Sequence, residues 1–207
     1  MLDLIQEHLE AIYGIRCEYR AKDFLVDEEI ARALGGTCRA REEVLVSQSG
    51  DMLDLAIYIE PGLLQRVSQF DPARALAEDL GDFCEVAEGV SHFVYLAQTA
   101  SLDRTVSLLE LEAQAEVDKF AVCTLLQWGA SRAAGLLGRL FDRVTLREGL
   151  SAAERWRYTE SSRLARKYCS RLLPLVKAHS LERLLAELRH AYRLGAEAKL
   201  QYFARAL

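Results

Sequence analysis

The chain has 207 residues, of which 51% are hydrophobic, 28% charged and only three are proline, at Pro61, Pro72 and Pro174. That is enough apolar material for one sizeable domain or two small ones, and it excludes a disordered or collagen-like chain. No stretch reaches the roughly eighteen apolar residues that a membrane span requires, and the acidic, amphipathic opening "MLDLIQEHLEAIYG" does not read as a secretory leader. Five scattered cysteines, Cys17, Cys38, Cys84, Cys123 and Cys169, form no CxxC pair. Their odd number and spacing predict reduced thiols in a cytoplasmic protein, acting mostly as small core residues.

The net charge of −5 conceals a gradient. Residues 1–120 hold 10 Lys and Arg against 24 Asp and Glu, and residues 121–207 hold 16 against 7. An acidic part that docks on a basic part, within one chain or across a dimer, is the expected explanation. A basic half can also serve an anionic partner.

In chain order, residues 2–13 read as a helix with Leu2, Ile5, Leu9 and Ile12 on one face, stopped by Gly14. "IRCEYR" (15–20) alternates apolar and charged residues and predicts a half-buried strand. "DEEIARALGG" predicts a short helix capped by Asp27 and ended by Gly35-Gly36. In "EVLVSQSGDMLDLAIYIEPG", two β-rich runs flank Ser49-Gly50-Asp51 and predict an antiparallel hairpin of about 43–48 and 53–59. Pro61-Gly62 ends the sheet and starts a short helix.

Near residue 70 the period changes from two to 3.6. Asp71-Pro72 opens a long helix to about residue 100. "SLLE" (107–110) and "SAAE" (151–154) are capping boxes that open helices of about 107–128 and 152–173, the second ended with the help of Pro174. Between them lies a Gly- and Ala-rich helix, "ASRAAGLLGRLFDRV". Ser180 caps a last helix to about 205, with Leu181, Leu184, Leu185, Leu188, Tyr192, Gly195, Ala198 and Tyr202 as its core stripe. The expected fold is α+β. A small part with an antiparallel β-hairpin and short helices, residues 1–70, precedes a mainly helical bundle of about five helices, residues 71–207.

At 100° per residue, Glu85, Glu88, His92, Tyr95 and Thr99 share one side of the 72–100 helix, opposite the stripe Leu76, Leu80, Phe83, Ala87, Val90, Val94 and Ala97. The plain expectation is a solvent face. The 107–128 helix is apolar on two flanks, with Glu112, Glu116, Lys119 and Cys123 in a narrow strip between them. Such a helix is usually central, and carboxylates on it need a cation, a proton or a metal. If the two helices pair antiparallel, His92 comes level with Glu116 and Glu112 with Tyr95. Glu88, His92, Glu112 and Glu116 would then form a carboxylate–histidine site for a divalent metal. The pattern departs from di-metal bundles in having Glu-x-x-x-His once and no second histidine near a suitable glutamate. The competing expectation is that Glu112 or Glu116 pairs with an arginine of the C-terminal half.

Arg155, Arg163, Arg166, Lys167 and Arg171 lie along one side of the 152–173 helix beside Trp156, Leu164, Tyr168 and Leu172. Interleaved cations and aromatics can bind phosphates or bases, although the net acidity of the chain weighs against nucleic acid. "GASRAAGLLGRLF" lacks the Gly-Lys-Ser/Thr ending of a phosphate loop, and no hydrolase, zinc-protease or dinucleotide fingerprint occurs. Three function classes follow. The first is a non-catalytic interaction or regulatory protein acting through helical surfaces, with a protein partner or as an oligomer. The second is a metal-binding helical protein or enzyme centred on Glu88, His92, Glu112 and Glu116. The third is an anion or nucleic-acid binder using the basic helix.

Overall fold

The computed structural model describes residues 1–50, 52–142 and 146–205. The fold is α+β with a helical bulk. Residues group into two compact units, one of 1–10 and 15–105, the other of 11–14 and 106–207.

The first unit begins with α1 (Leu2–Tyr13), most of which it holds, with Leu2, Ile5 and Leu9 buried. The expected strand at residues 15–20 does not form: the segment is irregular. Its backbone groups are taken by side chains of α1 instead. Buried Gln6 donates to the Tyr19 carbonyl at 2.8 Å and accepts from the Ala21 amide at 2.9 Å, and Glu10 accepts from Cys17 at 3.3 Å. An amide already satisfied by a side chain has no bond left for a ladder. The parallel strand β1 is a two-residue piece further on (Leu25–Val26).

Asp27 caps α2 (Glu28–Ala33) by accepting from the Ile30 amide, and Gly35 ends it at φ +92°, where a side chain would be strained. The hairpin forms as β2 (Glu42–Ser49) and β3 (Met52–Ile59), with Val44 opposite Ile57 and Ser49 opposite Met52. Asp51, in its turn, lies outside the described residues. The sheet order is β1-β3-β2, so β2 is an edge strand. After α3 (Pro61–Ser68), the single helix expected at 72–100 is two: α4 (Pro72–Glu78) and α5 (Leu80–Ala100). Asp79 is extended at φ −145° and its carboxylate accepts from the Asp82 amide, so a second N-cap interrupts the run that the 3.6-residue period suggested.

α5 packs against α3, α4, β2 and β3. Its polar strip is not a solvent face, which corrects the plain expectation: His92, Tyr95 and Thr99 are all buried, Tyr95 to 1% exposure. Strand β2 is one reason, because Glu42 reaches from the sheet across Gly89 to His92. A Cβ at position 89 would meet Glu42 Cγ at 2.9 Å, so glycine there admits the carboxylate.

The second unit is built on α6 (Leu108–Leu126), which packs against α7 (Ala130–Phe141), α8 (Ala152–Lys177) and α10 (Ala196–Ala204). Both capping boxes form, Ser107 with Glu110 and Ser151 with Glu154. Beyond its first turn, where Leu108 is exposed, the middle of α6 is buried on both flanks, as its two apolar sides predicted. Residues 143–145, beyond α7, lie outside the described residues. Pro174 does not stop α8, which runs on to Lys177. Proline forfeits one amide bond, but only a single turn remains, and the Ala178 amide still bonds the Pro174 carbonyl at 3.0 Å. The expected last helix is also two, α9 (Leu181–Arg193) and α10, separated at Leu194-Gly195. Ser180 makes no side-chain cap there, and Leu181 is exposed. The break resets the phase. Lys199 and Phe203, not Ala198 and Tyr202, are the fully buried residues of α10.

Candidate functional site

The four carboxylate and histidine candidates divide between the units: Glu88 and His92 stand on α5 of the first, Glu112 and Glu116 on α6 of the second. In the first unit, Glu88 and His92 offer ligand atoms within 4.8 Å of each other. Glu42, which the sequence reading did not single out, brings Oε1 to 3.7 Å from His92 Nδ1. Glu42 and His92 are 12% and 9% exposed at their side chains, so this is a sequestered carboxylate–imidazole pair rather than a surface one. The signal for Glu42 is its place at the start of an edge strand, facing a helix that carries glycine where the carboxylate crosses.

Nearly two turns before Glu88 on α5, Asp82 is gripped from both sides. Arg66 Nε donates to one carboxylate oxygen and Arg41 Nη1 to the other, each at 2.7 Å, while Arg41 Nη2 also donates to Glu85 at 2.6 Å. The Arg66 bond, with Arg41 behind it, holds the Asp82 carboxyl below the usual carboxylate range against the opposing effect of burial. A cleft of about 280 Å³ opens beside this cluster, lined by Arg66, Phe70, Glu78, Asp79 and Asp82 among others. Its charged groups already pair with arginine or carboxylate partners or cap helices, and no nucleophile faces an activating base among its lining residues.

In the second unit, Arg157 Nε lies 3.5 Å from Glu112 Oε1, and Lys119 Nζ donates to Glu116 at 3.0 Å. The expectation that Glu112 or Glu116 meets an arginine from the C-terminal half is thus met by Arg157, a residue the sequence reading had not placed in its basic stripe. Of that stripe, Arg163 is forked onto Glu160 and Arg166 bonds Asp142 at 2.6 Å. Arg171 donates to the Tyr202 carbonyl at 2.8 Å and lies 3.9 Å from Glu187. Arg155 is exposed and Lys167 half-buried, and neither makes an ion pair among the described residues. The aromatic side divides: Leu164, Tyr168 and Leu172 are core, whereas Trp156 is 60% exposed.

The most developed polar cluster was missed by the sequence reading. The Tyr13 hydroxyl donates to Asp118 Oδ1, and Gln114 Nε2 donates to the same oxygen at 2.7 Å. Gln114 Oε1 accepts from Lys199 Nζ at 2.7 Å, and Lys199 also donates to the Tyr192 carbonyl at 3.1 Å. Tyr192 stacks on Tyr13 with ring centroids 3.9 Å apart. Lys199 is wholly buried, and Tyr13, Gln114 and Asp118 are nearly so. Burial first, then the field and hydrogen bond of Asp118, push the Tyr13 phenol well up. The available signal was the i, i+4 pair Gln114 and Asp118 on an otherwise apolar helix, but Lys199 was hidden by the phase change at Gly195. The side chains are packed and mutually bonded, so the cluster specifies one arrangement of α6, α9 and α10 rather than a place for a substrate.

The end of α1 is held by the same unit. Arg189 donates to the carbonyls of Ile12 and Ala11 at 2.9 and 3.0 Å, and Arg193 to that of Tyr13 at 3.2 Å. Guanidinium groups at a helix C-terminus satisfy its last carbonyls and oppose its dipole. Gly14 takes the left-handed conformation, φ +61°, that lets the chain turn away. All five cysteines are free; Cys84, Cys123 and Cys169 are buried.

Comparison with protein families, with curated proteins and with solved structures returns no match in any of the three. No helix is long and apolar enough to cross a membrane among the described residues.

Proposed function

We propose that this chain is a non-catalytic interaction protein that works through exposed apolar surface. The observation that carries the reading is Trp156, 60% exposed on the first turns of α8 beside exposed Arg155. Tryptophan and arginine are the side chains that most often dominate binding energy at protein interfaces, and a large indole kept in water is otherwise unrewarded. The polar groups of the interior support the same reading, because Lys199, Asp118, Asp82 and Glu112 serve other parts of the chain. The test is a photo-crosslinking residue placed at position 156 in the host cell. Discrete covalent adducts, absent when the probe sits at buried position 164, support the reading. An absence of adducts at position 156 overturns it for this surface.

A second reading, divalent-metal binding, has its own observation: buried His92 sits with Glu42 and Glu88 within the first unit. Imidazole and carboxylates together suit zinc, iron or manganese. Elemental analysis of purified protein decides it. A stoichiometric ion that is lost on His92→Ala favours this reading, and its absence from protein refolded in excess metal removes it. The anion-binding reading keeps only Arg155 and Lys167 outside internal ion pairs, and nothing in the geometry raises it above the other two.

A further inference from the structure

The geometry points to the free edge of β2 as the surface through which two copies of this chain pair, an inference that rests on the interaction reading and names its partner. The Glu60 amide donates to the Arg41 carbonyl at 2.7 Å, just beyond the registered pair Glu42 and Ile59. In an antiparallel ladder hydrogen-bonded pairs alternate with non-bonded ones. Glu43, Leu45, Ser47 and Ser49 therefore direct their amides and carbonyls to β3, while Val44, Val46 and Gln48 direct theirs outward. The parallel partner agrees, because β1 takes the far side of β3 at Ile57, the residue opposite Val44. Among the described residues, no backbone or side-chain group bonds the outward amides and carbonyls of Val44, Val46 and Gln48.

Such an edge is ordinarily blunted by proline, lysine, a bulge or a covering segment. β2 has none of the first three: its eight residues, EEVLVSQS, pair with β3 in unbroken one-to-one register. Its distal half is exposed, Val46 to 50%, and Met52 across the turn is exposed too.

The partner follows from the distribution of charge along the strand. Both acids, Glu42 and Glu43, lie at one end and the uncharged Ser47, Gln48 and Ser49 at the other. A second β2 laid antiparallel about a two-fold axis at Leu45 places Val44 opposite Val46 of its copy and Glu42 opposite Gln48. Those are the outward-bonding positions, so their amides and carbonyls meet. Glu43 then faces Ser47, and Leu45 faces its own counterpart in a closely spaced, non-hydrogen-bonded pair. No carboxylate faces a carboxylate, as it would if the axis passed through Glu42. The strand is complementary to itself, as a two-fold interface requires.

The experiment is light scattering and sedimentation of the full chain from sub-micromolar to high-micromolar concentration. The expected result is a concentration-dependent dimer. Val46→Pro removes only an outward amide, and Val46→Lys adds charge to the edge without touching the backbone. Both are expected to give monomers with unchanged circular dichroism and melting. Leu45→Cys is expected to form an interchain disulfide with its own counterpart under mild oxidation, identified by peptide mapping. A wild-type chain that stays monomeric, or a dimer that survives both Val46 variants, overturns the inference. Failure here is distinguishable from failure of the broader reading: a monomer that still crosslinks to another protein from position 156 sinks self-pairing alone, and a monomer without adducts sinks both.

Discussion

Gln114 stands between Lys199 and Asp118, and its amide orientation is set by both: Oε1 accepts from the Lys199 amine at 2.7 Å, and Nε2 donates to Asp118 at 2.7 Å. Reversing the amide would turn a donor toward an amine and an acceptor toward a carboxylate. Glutamine is therefore required where either leucine or glutamate would fit the space.

Replacing Lys199 with methionine, which keeps the length of the stem, is expected to lower unfolding stability by roughly 1–3 kcal/mol for each acceptor it leaves unsatisfied, at Gln114 and at the Tyr192 carbonyl. Urea unfolding measures it. Combining it with Gln114→Leu should cost less than the sum of the two single changes, because both remove the same bond. Additive losses would contradict the network.

Alkaline stability follows from the raised phenol of Tyr13 and the raised thiol of Cys169, the latter lifted by burial first and then by Glu116 and Asp118. In the unfolded chain the thiol ionises at roughly pH 8.5 and the phenol at roughly pH 10. In the folded chain they hold their protons beyond that. Between the two limits the native state binds more protons, so stability is full below the unfolded values and falls as pH rises through and above them. Tyr13→Phe should flatten the upper part of this fall in thermal melts recorded between neutral and strongly alkaline pH.

Asp82 gives the opposite limb. Its carboxyl is lowered by Arg66 and then Arg41, so its contribution is present above the unfolded value of about 4 and is lost as pH falls through the folded one. Asp82→Asn is expected to be less stable than wild type at neutral pH, with the difference closing in acid. The arginines are 40% and 52% exposed, so salt should narrow the difference as well. A difference independent of pH would show that packing, not charge, is what Asp82 supplies.

The cysteines should react in order of access. Cys17 and Cys38 are half-buried and Cys84, Cys123 and Cys169 buried. Alkylation of native protein is expected to modify Cys17 and Cys38 first, and Cys123 and Cys169 only on unfolding, as read by peptide mass spectrometry. Early loss of the Cys169 thiol would contradict its packing.

Local signals in the sequence were followed closely by the fold. Asp27, Ser107 and Ser151 cap the helices they precede, and the hairpin forms where β-rich runs flank a turn. What was not legible came from side chains acting at a distance. Gln6 takes the Tyr19 carbonyl and Glu10 the Cys17 amide, groups that an alternating pattern had reserved for a strand. Asp79 inserts a cap into a periodic run, and the separation at Leu194-Gly195 shifts the phase of the last helix, so that a lysine falls where the projected stripe put alanine. At the candidate site, Glu88 and His92 were readable as an i, i+4 pair, but Glu42 comes from a strand some fifty residues away, and helical periodicity says nothing of it.

The carbonyls of Ala11, Ile12 and Tyr13 are held by Arg189 and Arg193, and Tyr13 shares its acceptor with a residue hydrogen-bonded to Lys199. A ribosome delivers Ala11, Ile12 and Tyr13 long before Arg189, Arg193 and Lys199. The first unit's sheet can assemble once residue 59 has emerged, but the interior of the second waits, with Tyr13 already made, until Lys199 follows. Stopping synthesis just before Lys199 would thus disturb not only the neighbouring helix but Tyr13, made far earlier. Closing that long loop is the step on which chaperones and proteases would compete.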